Sequence, residues 1–130
     1  MTRILVAEDD HDIGELIRLI LEFGGSEVVA VRNGVDALKI ATRGRFDAVL
    51  LDVRMPGLSG LEVCRRLRAQ KDTQDTPIIF ISARGQESEI HAGINAGANA
   101  YVVKPFDPDD LSTMVYGLLA HNSQSIVARL

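Results

Sequence analysis

Cysteine is almost absent from this chain of 130 residues, in which Cys64 stands alone. A lone cysteine cannot form an internal disulfide, so a reducing cytoplasm is the simplest setting for the protein. It fits the apolar stripe of a predicted helix, and we interpret it as a core residue. Long hydrophobic runs are lacking too, because the first apolar stretch, Ile4–Ala7, is far too short for a signal peptide or a membrane span. We therefore expect a soluble, cytoplasmic protein.

The chain also lacks an excess of basic residues. The chain carries 14 Lys and Arg against 18 Asp and Glu, and its net charge of −4 argues against direct binding of nucleic acid, which requires clustered cations. Hydrophobic residues make up 46% and charged residues 25%, as in ordinary globular proteins. This length suits one compact domain. We place that domain at residues 1–121 and interpret residues 122–130 as a tail or linker stub.

What the chain does contain is a regular alternation of two patterns. Five short apolar runs lack period-two alternation, which is typical of strands buried on both faces of a parallel sheet: Ile4–Ala7, Val28–Val31, Ala48–Leu51, Ile78–Ile81 and Tyr101–Val103. Segments with helical periodicity separate them, as in the apolar stripe of Ile13, Leu16, Ile17, Ile20 and Leu21. This alternation predicts an α/β fold with a doubly wound, five-stranded parallel sheet of the (β/α)5 type.

Acidic residues follow two of the predicted strands. Glu8, Asp9 and Asp10 follow the first strand, and Asp52 follows the third. In a doubly wound sheet the carboxyl ends of the central strands form one ligand-binding edge, so these carboxylates should converge. Carboxylates that close repel one another unless a cation joins them, and oxygen ligands suit Mg²⁺. An acidic run before a helix also favours the helix N-terminus, which is a sufficient explanation for Asp10 and Asp12.

A hydroxyl and an ammonium group lie at the same predicted edge. The fourth strand runs into Ser82 and the fifth into Lys104, and such groups suit the oxygens of a tetrahedral anion. Taken singly, a serine at this place is usually a cap and a lysine is usually solvated. Together with the acidic pair and the further carboxylate of Asp52, they predict phosphoryl transfer. In that chemistry Asp52 attacks phosphorus while the cation and Lys104 neutralise the oxygens.

Four motifs at these positions resemble those of one family, the receiver domains of two-component response regulators. The stretch ILVAEDD resembles the family's acidic pair after strand one, and LLDVRMPGLSGLE resembles the segment that carries the phosphoacceptor. FISA supplies the hydroxyl position and AYVVKPF supplies the lysine. The resemblance runs from about residue 3 to about residue 120. It implies a flavodoxin-like three-layer sandwich, with strand order 2-1-3-4-5, of the chemotaxis-regulator-like superfamily.

The resemblance also implies a metal-dependent phosphoacceptor site. Asp52 takes the phosphoryl group, and the cofactor is Mg²⁺, with Mn²⁺ as a substitute. Asp9 binds the ion directly and Glu8 binds it through water. Asp52 and the backbone carbonyl of Arg54 complete the set of protein ligands.

A conformational switch is implied as well. Ser82 and Lys104 hold oxygens of the phosphoryl group, and the ring of Tyr101 turns inward when Ser82 moves toward that group. The peptide bond before Pro105 is expected to be cis, as in similar proteins. Because phosphorylation adds negative charge, it biases the segment from strand four to helix five, which we expect to be the output surface.

The implied activity is that of a signalling switch and not of an enzyme acting on other substrates. The phosphodonor would be a sensor histidine kinase, a histidine phosphotransfer protein or a small phosphodonor. The output partner, or an effector domain that the sequence lacks, is not identified. We expect a monomer or a weak dimer, because helices four and five carry few charges. An apolar patch of Ile90, Ile94 and Tyr116 could still bind a partner.

Two arginines follow the predicted site residues at positions that vary in the family. Arg54 and Arg84 lie two residues beyond Asp52 and Ser82. Surface solubility explains them about as well as a kinetic role does. As a hypothesis, these long cationic side chains modulate the rim of the site by shielding the phosphoryl group from attacking water.

Three other functions fit the same topology less well. An aspartyl-phosphate phosphatase of the haloacid-dehalogenase type needs a second acid two residues after the nucleophile, where this chain has Arg54. A flavodoxin-like FMN carrier needs phosphate-binding donors in its first loop, where this chain has acids that repel phosphate. The alternative that keeps the fold is an interaction module that acts by protein contact without phosphorylation, although every site position is filled.

Overall fold

A computed structural model of the chain describes residues 1–83 and 87–120, together with the backbone of residues 128–129. Strands and helices alternate in the order β1 Arg3–Ala7, α1 His11–Phe23, β2 Glu27–Val31, α2 Gly34–Arg43, β3 Ala48–Asp52, α3 Gly60–Arg68, β4 Ile78–Ser82, α4 Glu87–Asn95, β5 Ala100–Val103, α5 Pro108–Ala120 and β6 Ala128–Arg129. The predicted α/β fold is confirmed. None of the described helices is long and apolar enough to cross a membrane.

All the strands belong to one parallel sheet, in the order β2-β1-β3-β4-β5-β6. The order expected for the first five strands is confirmed. The two-residue β6 is an addition, since it lies in the predicted tail and pairs Ala128 with Ala100 and Arg129 with Tyr101. Residues 121–127 and 130 lie outside the described part of the chain, so the domain boundary at residue 121 stays a prediction.

Two apolar clusters fill the two sides of the sheet, because adjacent residues of a strand point to opposite faces. In β3, Val49 and Leu51 pack with α2, α3 and α4 on one side, whereas Ala48 and Leu50 pack with α1 and α5 on the other. All four side chains are buried. Burial on both faces explains why the run lacks alternation. The outer strand β2 is only half-buried, because it has a single neighbouring strand.

Local capping signals set the starts of the helices. Asp10 is the N-cap of α1, and its side chain accepts hydrogen bonds from the backbone N–H groups of Asp12 and Ile13. Asn33 caps α2 in the same way, by accepting from the N–H of Asp36. The capping interpretation of Asp10 is therefore confirmed.

Two details of the apolar pattern were wrong. Leu16 belongs to the predicted stripe of α1 but is 45% exposed, and the buried face of the helix includes Gly14 instead. Ile90 is buried against the sheet, whereas the hydroxyl of Tyr116 donates to the Leu21 carbonyl in the cluster on the opposite side. Ile90 and Tyr116 therefore cannot form one surface patch.

Candidate active site

The carboxyl edge of the sheet gathers the acidic residues that the sequence singled out. Ala7 lies beside Leu51 in the register of β1 and β3, so the residues that follow them, Glu8 and Asp52, are neighbours. Carboxylate oxygens of Glu8, Asp9 and Asp52 lie within 4.8 Å of one another. Glu8 and Asp52 are buried, at 2% and 6% exposed, whereas Asp9 is exposed. The expected acidic cluster is formed.

Lys104 reaches into this cluster from the end of β5. Its Nζ lies 2.5 Å from Glu8 Oε1 and 3.4 Å from Asp52 Oδ2, so one ammonium group pairs with both buried carboxylates. The backbone N–H of Lys104 donates to the Ser82 carbonyl at 2.7 Å, which ties the end of β5 to the end of β4. The Lys104–Pro105 peptide bond is cis.

Burial and charge together set the electrostatics of the site. Desolvation, together with a hydrogen bond to the Asp52 carboxyl, raises the pKa of Glu8 to about 7. Burial by itself would lower the pKa of Lys104, but the hydrogen bond to Glu8 and the negative charge of Asp52 outweigh it and raise that pKa. Lys104 is thus held as a cation between two acids.

The donor set suits a hard divalent cation. Glu8 Oε1 is buried, and the Lys104 ammonium group beside it is shared with Asp52. Three carboxylates gathered beside one ammonium group carry more negative charge than that group neutralises, and a bound cation would balance the excess. Carboxylate oxygens are the ligands that Mg²⁺ accepts. The residues present therefore fit the expected metal ion.

The other predicted residues surround the cluster in different ways. Ser82 is buried at the end of β4, and the ring of Tyr101 is fully buried and so faces inward. The backbone N–H of Arg54 donates to Asp52 Oδ1 at 3.3 Å, while its side chain is exposed. Arg84 lies outside the described residues, so the shielding role of the two arginines stays a hypothesis.

Sequence reasoning missed two residues that shape the site. Gly60 begins α3 against the end of β3, where a Cβ would lie 2.2 Å from the carbonyl oxygen of Asp52. A side chain there would displace the backbone that carries the acid, and only its place within the LSGLE segment could have pointed to it. Arg32 Nη2 donates to the Asp9 carbonyl at 3.1 Å from beyond the end of β2. Nothing local in the sequence signals that contact.

Comparison with known proteins identifies the family to which the chain belongs. A model of the response regulator receiver domain family matches residues 4–116. The response regulator MprA of Mycobacterium sp. strain KMS is 46% identical over 121 residues, which are 93% of this chain and 52% of that protein. The chain thus spans about half the length of the curated relatives it matches.

Solved structures share the fold. The receiver domain of Francisella response regulator 1452 gives a TM-score of 0.87 at 30% identity, covering 93% of this chain and 98% of that one. The receiver domain of the sensor histidine kinase PA1611 from Pseudomonas aeruginosa PAO1 has a magnesium ion coordinated in its active site cleft. It gives a TM-score of 0.86 at 32% identity, covering 92% and 98% of the two chains. The chain therefore belongs to the response regulator receiver domains, signalling domains of two-component systems whose general function is a phosphorylation switch.

Proposed function

We propose that Asp52 accepts a phosphoryl group from a phosphohistidine of a sensor kinase or phosphotransfer protein, or from a small phosphodonor. The observation that carries the proposal is the ammonium group of Lys104 shared by Glu8 and Asp52. Two buried acids that share one lysine leave excess negative charge inside the protein. Such charge is costly to bury, so close packing of the core does not explain why both acids are present. Binding a cation and then a phosphoryl group does give a reason.

Asp52 is the nucleophile in this proposal. One of its carboxylate oxygens forms the bond to phosphorus while the bond between phosphorus and the donor's imidazole nitrogen breaks, and the imidazole keeps that electron pair. The N–H of Arg54 holds Oδ1 of the carboxylate. Lys104 Nζ, 3.4 Å from Oδ2, neutralises charge on the phosphoryl oxygens, and the hydroxyl of Ser82 supplies a further donor.

Mg²⁺ is the proposed cofactor, with Mn²⁺ as a substitute. Glu8, Asp9, Asp52 and the backbone carbonyl of Arg54 would hold it. When bound, the ion supplies the positive charge that lets an anionic phosphodonor approach an acidic site. The magnesium ion in the PA1611 receiver domain supports this choice of metal.

The proposed output is a change in the face formed by α4, β5 and α5. Phosphorylation turns the single charge of Asp52 into about two negative charges with more acceptor oxygens. The groups that gain contacts, Ser82 and Lys104, stand at adjacent strand ends that are already joined by a backbone hydrogen bond. A displacement of either strand end therefore also displaces the other. This displacement shifts the equilibrium between two conformations of the face formed by α4, β5 and α5.

Incubation of the chain with acetyl phosphate and Mg²⁺ tests the chemistry. We expect a mass increase of one phosphoryl group, which Asp52→Asn and excess chelator both abolish. Asp47→Asn is the matched control, because Asp47 is an exposed acid at the opposite end of β3 and should leave the increase intact. An absent mass increase, or one that survives Asp52→Asn, would refute the proposal and favour the module that acts by protein contact alone.

A further inference from the structure

The helix α4 contains a glycine at an interior position, where this residue does not stabilise the helix. Gly93 lies inside Glu87–Asn95 and is buried although it has no side chain to bury. Glycine is among the least favourable residues in a helix interior, since it loses the most backbone freedom on folding. The reason for a glycine at this position must therefore come from what packs against it.

Two aromatic rings lie directly beneath Gly93. A Cβ at this position would lie 3.0 Å from Cδ2 of Tyr101, 3.2 Å from its Cε2, and 3.0 Å from Cδ2 of Phe80. Such contacts are tighter than nine in ten real Cβ contacts, so a ring or the helix would have to shift. Both rings are 0% exposed and lie with their centroids 6.2 Å apart. The two rings therefore occupy part of the space that a side chain at position 93 would need.

The end of α4 is anchored, so the helix cannot simply move away from an added methyl group. The Gly93 carbonyl accepts a hydrogen bond from the N–H of Ala98 at 3.2 Å. Arg68 Nε of α3 donates to the Gly97 carbonyl at 2.9 Å. These contacts hold the turn that follows Gly93 against the rest of the domain.

Of the two rings, that of Tyr101 meets the added Cβ with two of its atoms, against one atom of Phe80, and it belongs to the strand nearer the edge of the sheet. Phe80 belongs to β4, which lies between β3 and β5 inside the sheet. Tyr101 belongs to β5, beyond which the described part of the chain adds the two-residue β6. An added methyl group at position 93 should therefore displace the ring of Tyr101 more than that of Phe80.

We propose that Gly93 is a positioning residue for Tyr101, because its missing side chain is what admits the ring beneath α4. The size of residue 93 then sets the balance between inward and outward positions of the ring. The link from this balance to phosphorylation rests on the function proposed above and on the inward turn of the Tyr101 ring that the family resemblance implies. Coupling between two sites is reciprocal, so a substitution that disfavours the inward ring weakens binding of a phosphoryl analogue by the same factor.

The test uses the two tyrosines and the absence of tryptophan. In a Tyr116→Phe background, Tyr101 is the only tyrosine, and acrylamide quenching of its fluorescence reports its exposure. We expect Gly93→Ala to increase this quenching severalfold and to weaken binding of beryllium fluoride with Mg²⁺ about tenfold. Gly117→Ala is the matched control, since a Cβ at that position in α5 meets nothing within 4 Å.

Unchanged quenching and unchanged beryllium fluoride affinity in Gly93→Ala would overturn the proposal. The double variant Gly93→Ala with Tyr101→Leu provides a second test that also applies if Gly93→Ala alone destabilises the domain strongly. Gly93→Ala should lower the melting temperature by clearly less when combined with Tyr101→Leu than when Tyr101 is present, because the contact with Phe80 then remains alone. A loss of equal size in both backgrounds would also count against the proposal. Failure of beryllium fluoride to bind the parent chain would refute the proposed function, whereas the quenching result decides the role of Gly93 by itself.

Discussion

Replacement of Lys104 by methionine removes a charge while keeping most of the length of the side chain. In the parent chain Nζ lies 2.5 Å from Glu8 Oε1 and 3.4 Å from Asp52 Oδ2, and the lysine side chain is only 15% exposed. At an effective dielectric constant of about 20, these separations correspond to gross attractions of about 7 and about 5 kcal/mol. The desolvation of three charged groups offsets most of this. We expect Lys104→Met to lower the free energy of unfolding by about 3 kcal/mol, in the range known for breaking a buried ion pair.

The loss should depend on pH because of Glu8. The pKa of Glu8 is raised in the folded protein to about 7, mainly by desolvation, and removal of Lys104 raises it further. A raised carboxyl pKa means that the folded state binds the proton more tightly than the unfolded chain, so stability falls as pH rises toward the folded pKa. Above about pH 7 the variant continues to lose about 1.4 kcal/mol per pH unit, whereas the parent has stopped losing stability. The deficit should therefore be larger at about pH 8 than at about pH 5.5.

Thermal unfolding in the presence of chelator at these two pH values measures both effects. For a domain of this size, about 3 kcal/mol corresponds to a fall in Tm of about 10 °C. Lys39→Met is the control, because Lys39 is exposed on α2 and its loss should shift Tm by no more than about 2 °C. A variant as stable as the parent at about pH 8, or a deficit that does not change with pH, would refute the reasoning.

Three further predictions concern other parts of the domain. Arg68 donates hydrogen bonds to four acceptors in the α3–β4 and α4–β5 connections. Arg68→Ala should therefore lower the free energy of urea unfolding by about 3 kcal/mol and Arg68→Lys by clearly less; equal losses would argue against a role for the planar guanidinium. Burial raises the pKa of the Cys64 thiol to about 11, so iodoacetamide should alkylate the native protein about 100-fold more slowly than the denatured chain at about pH 8. Rapid alkylation of the native protein would contradict its place in the core. If Arg54 shields the phosphoryl group, Arg54→Ala should shorten the half-life of the phosphorylated chain severalfold, with the exposed Arg43→Ala as control; an unchanged half-life would exclude the shielding role.

The fold and the composition of the site could be predicted because local patterns encode them. Apolar runs without alternation indicate strands that are buried on both faces, and Val49 and Leu50 pack on opposite sides of the sheet as that pattern requires. The acids and the lysine come directly after such runs. Because parallel strands end at one edge, their positions along the chain already implied that Glu8, Asp52 and Lys104 would meet. The roles assigned to these residues stay proposals until phosphorylation is measured.

The sequence by itself determined the first five strands and the five helices, their order along the chain and which edge of the sheet carries the site, but it did not reveal β6. Tertiary structure decided how the groups at that edge share their charges, since only the packed strands show Lys104 closer to Glu8 than to Asp52. It also decided why glycine stands at positions 60 and 93, where a Cβ would meet Asp52 or Tyr101. The contacts of Lys104 join segments that are far apart in the chain, and each of the two glycines meets a residue of a different element, so no periodicity or cap could reveal them. The spacing of packed elements is fixed to within a few tenths of an ångström only when the core closes.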